Sequence, residues 1–146
     1  MVDAALLQHY DTNIPDTVRE VSARIDALDA ELMRGAIEQR FAARKRLSEM
    51  LQEATACFSF FSHLYKRWDA ILENQEAEAY MAVKARTAGG LGEKFVSAAA
   101  EREAAASVKD IRYVVSYYEG EVSRCQEYIN STKKLLELVE AEERTA

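Results

Sequence analysis

Tyr80, Lys84 and Arg86 lie within seven residues of one another in "YMAVKAR", just before the glycines of "TAGGLG". An aromatic ring one helical turn from a lysine can hold a single nucleic-acid strand. The ring stacks on a base while the ammonium meets a phosphate, and base identity is not read. Two further basic runs share this character. "FAARKR", with Arg40 just before it, holds Arg44, Lys45 and Arg46, and "LYKRW" sets Lys66 and Arg67 between Tyr65 and Trp68. A structural reading competes at each place. Cations in the last turn of a helix complement its dipole without any ligand, charge runs are usually solvated faces, and Tyr65 and Trp68 fall on an apolar stripe suited to a core.

Other chemistries lack their residues. A phosphate-cradling loop needs Gly-Lys together after a strand, whereas Gly92 is followed by Glu93 and only then Lys94. His9 and His63 have no ligand partner at i+3 or i+4, so no metal site is expected. Cys57 and Cys125, the only cysteines, each sit in an apolar helical stripe and read as small buried hydrophobes. No cofactor motif and no nucleophile beside a base is found, so the expectation is a protein that is not an enzyme.

These residues must be positioned by helices. The 146 residues include one proline and five glycines, with 49% hydrophobic and 30% charged side chains, the texture of a folded all-α chain. The expectation is a single all-helical domain over 1–146: a lead over 1–15, one long helix or two over 16–87, a glycine-rich turn over 88–93 and a C-terminal helix over 94–142. Pro15 and Asp16 suit a helix start. Val18, Val21, Ile25, Leu28 and Leu32 recur at helical spacing, and Gly35 is a candidate break. A second stripe runs from Leu47 through Leu51, Ala54, Phe58, Phe61, Tyr65, Trp68, Leu72, Gln75 and Ala79 to Ala82.

The last segment carries the clearest pattern. Val108, Ile111, Val115, Tyr118, Val122, Cys125, Ile129, Thr132, Leu136 and Val139 alternate steps of 3 and 4. That is a coiled-coil-like seam of roughly 47 Å at ~1.5 Å per residue. Val114, Tyr128 and Leu135 add a second apolar column, and Gly120 lies opposite the seam. The short glycine-rich connection implies an antiparallel helical hairpin or bundle. Val108, Ile111, Val115, Tyr118, Val122, Ile129, Leu136 and Val139 are the candidate residues for homo-oligomerisation.

A formal net charge of −6 excludes whole-surface DNA binding and leaves only a local basic patch. No run of 18 uncharged apolar residues is present, so no membrane span is expected. "MVDAALLQHYD" lacks a basic leader, and the cysteine usage fits a reducing cytoplasm.

The helix "EATACFSFFSHLYKRWDAILENQEAEAYM", then "AVKAR", a glycine-bearing loop and a long C-terminal helix, resembles the UvsY-like phage recombination mediators. In that family a Lys-Ala-Arg element after a long helix contributes to single-stranded DNA binding. The resemblance covers roughly residues 53 to 142. It implies DNA contact by Lys84 and Arg86, with Tyr80 beside them. It also implies an all-α homo-oligomer that helps load a RecA-like recombinase onto strands covered by single-strand-binding protein. The alternative expectation is a helical oligomeric assembly protein, such as a phage morphogenesis factor or adaptor, that binds only protein.

Overall fold

The computed structural model describes residues 14–38, 44–88 and 96–145. They form four α-helices: α1 (Asp16–Glu38), α2 (Arg44–Ala88), α3 (Ser97–Ser107) and α4 (Lys109–Thr145). Among the described residues all regular structure is helical, as expected.

Helix α1 starts where the sequence places it. The Pro15 carbonyl accepts the backbone amides of Val18 and Arg19 at 3.0 and 3.2 Å, and Asp16 sets negative charge at the helix N-terminus. Ile14, Val18, Ile25 and Leu28 are buried. Gly35 lies inside α1 rather than breaking it. The described helices end at Glu38 and resume at Arg44, and the stretch between them, with Arg40 and Phe41, lies outside the described residues.

Helix α2 is 45 residues long, about 68 Å at ~1.5 Å per residue. Leu47, Met50, Ala54, Cys57, Phe61 and Leu72 are buried. Beyond Leu72 the expected stripe fails: Gln75 and Ala82 are exposed, while Glu76, Ala79, Tyr80, Val83 and Thr87 are partly covered. A straight α-helix drifts by about 20° per heptad against a 3.5-residue repeat. Over this length the buried line moves one position along.

The C-terminal segment, expected as one helix over 94–142, is two. Val108 leaves helical geometry at φ −107° and ψ 18°. Ser107 Oγ donates to the Ala104 carbonyl at 2.8 Å, drawing a side chain into the last turn of α3. Val108 itself is buried, and its carbonyl accepts the Arg112 amide at 3.0 Å to open α4. The joint is therefore also a packing anchor. The glycine-rich turn expected over 88–93 lies, apart from Ala88, outside the described residues.

The chain packs as two compact units, with the divisions inside α2 after His63 and inside α4 after Tyr117. In the unit that includes Leu64–Tyr117, Leu72, Val108 and Val115 form a buried cluster against which Tyr65, Trp68 and Ile111 pack. Tyr65 and Trp68 are thus core-facing, which leaves Lys66 and Arg67 exposed on either side without a stacking platform.

The other unit is a three-helix arrangement of α1, the first part of α2 and the second part of α4. Arg46 binds Glu31 bidentately at 2.8 and 2.7 Å, tying α2 to α1. Arg44 reaches Glu140 and Glu143 at 3.5 and 3.4 Å, tying α2 to α4. Arg124 joins α4 to α1. It pairs with Asp26 and donates to Ser22 Oγ at 3.1 Å, the Ser22 carbonyl at 3.2 Å and Glu121 at 2.8 Å. Ile25, Phe61, Tyr118, Cys125 and Thr132 fill the interior, and Thr132 Oγ1 donates to the Tyr128 carbonyl at 2.8 Å.

Candidate nucleic-acid interface

Lys84 and Arg86 occupy the C-terminal end of α2, both exposed. Thr87 Oγ1 donates to the carbonyls of Val83 and Lys84 at 3.0 and 3.1 Å, satisfying groups the helix end leaves open. Among the described residues Lys84 has no ion-pair partner. Arg86 has one. Its two terminal nitrogens donate to the two carboxylate oxygens of Glu103 on α3, both at 2.9 Å. The guanidinium holds the Glu103 carboxyl below the usual carboxylate range. Both side chains are about half exposed, so solvent screens the pair.

Tyr80 is half-buried, and its hydroxyl lies 3.5 Å from Ser97 Oγ. The ring lines a groove that also takes Glu73, Glu76 and Glu101. Tyr80 therefore stands one turn from Lys84 in sequence and lines an apolar groove with carboxylates at its edge. Arg86 and Glu103 border a second, smaller recess with Ala79, Ala82, Val83 and Ser107.

The "FAARKR" run is largely neutralised where it is described. Arg44 meets Glu140 and Glu143, and Arg46 meets Glu31, Glu49 and Glu53. Lys45 is exposed.

The candidate oligomerisation seam is covered from within the chain. Val108, Val115, Tyr118 and Ile129 are buried, and Ile111, Val122, Leu136 and Val139 are half-buried. Its first turns pack on Leu72, Tyr65 and Trp68 of α2. Four of its eight residues are thus covered within the chain, and the other four keep part of their surface in water. Large apolar side chains that do face solvent include Met33, Met81, Val96 and Leu138.

Both cysteines are buried, and burial pushes the Cys57 and Cys125 thiols up, Cys125 to about 12. Such thiols stay protonated and make poor nucleophiles. His63 is exposed on α2. Among the described residues no group of three or more metal-ligating side chains converges, and no helix is long and apolar enough to cross a membrane.

Two participants escaped sequence reasoning. Glu103 sits in an alanine-rich stretch with no spacing rule linking it to Arg86, 17 residues earlier. Arg124 carries a weak local signal, Glu121 three residues before it on one helix face, but its long-range partners Asp26 and Ser22 do not. Compared with family models, curated proteins and solved structures, the chain finds no match.

Proposed function

We propose that this chain is a non-catalytic recombination mediator that holds single-stranded DNA at the C-terminal end of α2. As a homo-oligomer in the cytoplasm of a phage-infected bacterium, it would help load a RecA-like recombinase onto strands covered by single-strand-binding protein. The observation that supports this reading is the exposed Lys84–Arg86 pair, in which Arg86 already presents its guanidinium fork to an anion with two oxygens. A phosphate has the same bidentate geometry. Glu103 then acts as the resident competitor, and strand binding means exchanging a screened carboxylate for a phosphate. Each tip carries few cations, so useful affinity comes from several copies acting together. The recombinase, the single-strand-binding protein and the phage setting rest on the resemblance of "AVKAR" and its flanking helices.

The test is anisotropy of labelled oligo-dT at low and moderate salt, comparing the parent with Lys84→Ala/Arg86→Ala and with Glu103→Gln. Loss of two phosphate contacts should flatten the log–log salt dependence by about 1.4, at ~0.7 per contact on single strands. Glu103→Gln should tighten binding. A double variant that matches the parent in affinity and slope would remove these residues from the site.

A second reading has its own observation. Arg44, Arg46 and Arg86 all spend their charge on carboxylates of the same chain, which suits a helical assembly or adaptor protein that binds only protein. It predicts no oligo-dT binding even at low salt.

A further inference from the structure

We infer that the groove between α2 and α3 is a docking surface for a basic amphipathic helix of a protein partner. The groove holds about 460 Å³. Ala104, almost wholly buried, lies at its base, exposed Ala77 lines it, and Met81 stands beside it with 59% of its surface in water. The small side chain of Ala104 leaves room for a partner's side chain above it. A flexible, polarizable methionine adapts to what enters.

The rim carries one sign of charge. Glu73 and Glu101 are exposed and have no cation paired with them among the described residues. Glu76 is half-buried and accepts from Arg112 at 3.2 and 3.3 Å. None of the described residues lining the groove is a lysine or arginine. An apolar trough with unmatched carboxylates above it complements a ligand with an apolar stripe flanked by cations. A helix that presents leucine or phenylalanine at i, i+3 or i+4 and i+7, with lysine or arginine beside them, has that form. A nucleic-acid strand does not, because its phosphates would face Glu73 and Glu101. The groove thus serves a different ligand from the Lys84–Arg86 end of α2.

The experiment uses the full chain and two fluorescein-labelled Leu/Lys peptides of identical composition. One is patterned as an amphipathic helix and the other is scrambled. Anisotropy is read for the parent, Glu73→Lys/Glu101→Lys, Met81→Asp and a control, Glu137→Lys/Glu142→Lys, which makes the same change in net charge on exposed positions of α4. Circular dichroism checks that each variant keeps its helicity.

The parent should bind the amphipathic peptide and not the scrambled one. Both groove variants should weaken it by about tenfold or more, and the α4 control should not. Equal binding of the two peptides, or equal losses in the two charge-swapped variants, would reduce the effect to net acidity and overturn the docking site. Absence of binding overturns it too. So does a parent that self-associates through this face, if Glu73→Lys/Glu101→Lys dissolves the oligomer instead of a peptide complex.

Discussion

Tyr128 is buried at 3% exposure, and its hydroxyl makes no hydrogen bond of good geometry among the described residues, its nearest candidate being the Thr132 side chain. A buried polar atom without a partner has lost its water and gained nothing in return. Tyr128→Phe keeps the ring and removes the oxygen, so it should raise stability by about 1 kcal/mol in chemical denaturation. A variant less stable than the parent would mean that the hydroxyl is bonded after all. At this scale the sequence was legible in part. That Lys84 and Arg86 are exposed cations near the end of a long helix was recognisable from residue type and from the glycines that follow in the sequence. Glu103 was not, because an ion pair between two helices depends on how α3 lies on α2, and no periodicity encodes that. The surroundings of Tyr80 were legible only in part. Its proximity to Lys84 along the chain is real, and Glu73 and Glu76 stand seven and four residues before it on the same helix, while Glu101 joins them only through the packing of α3.

At the scale of elements, α4 is continuous through Gly120, an exposed position with nothing within 4 Å of where a Cβ would stand. Glycine at an exposed interior helical position costs about 1 kcal/mol relative to alanine, through backbone freedom lost on folding. Gly120→Ala should therefore raise the thermal midpoint by about 2–4 °C for a chain of this size. A lowered midpoint would argue against an intact helix at that point. The helices themselves were readable because amphipathic spacing is a property of the chain alone. Val18, Ile25 and Leu28 on α1, and Val115, Tyr118, Cys125, Ile129 and Thr132 on α4, are buried as their spacing requires. The joint at Val108 was not readable. It has neither glycine nor proline, and it coincides with the first residue of the seam, so the pattern ran straight across it.

For the molecule as a whole, burial couples stability to pH on the alkaline side. In the folded state the Cys125 thiol and the Tyr128 phenol are pushed up to about 12, mainly by burial, from ordinary values of 9.0 and 10.0. Both groups hold their protons more tightly when folded. Their contribution is complete below pH ~9 and is lost as pH climbs towards 12. The thermal midpoint should fall across that window, and Cys125→Ala should fall less steeply than the parent. Equal slopes would mean that the thiol ionises as readily folded as unfolded. A different kind of consequence follows from α3. Its 11 residues are too few to hold a helix in water alone, and they bury only Ala100 and Ala104. Such a segment opens at a free energy well below that of global unfolding. The clamp on Arg86 and the carboxylate-rimmed groove both exist only while α3 is seated. They share one duty cycle: each time α3 lifts, Arg86 parts from Glu103 and the groove loses a wall, so a phosphate that takes Arg86 favours the open molecules and a helix in the groove favours the closed ones.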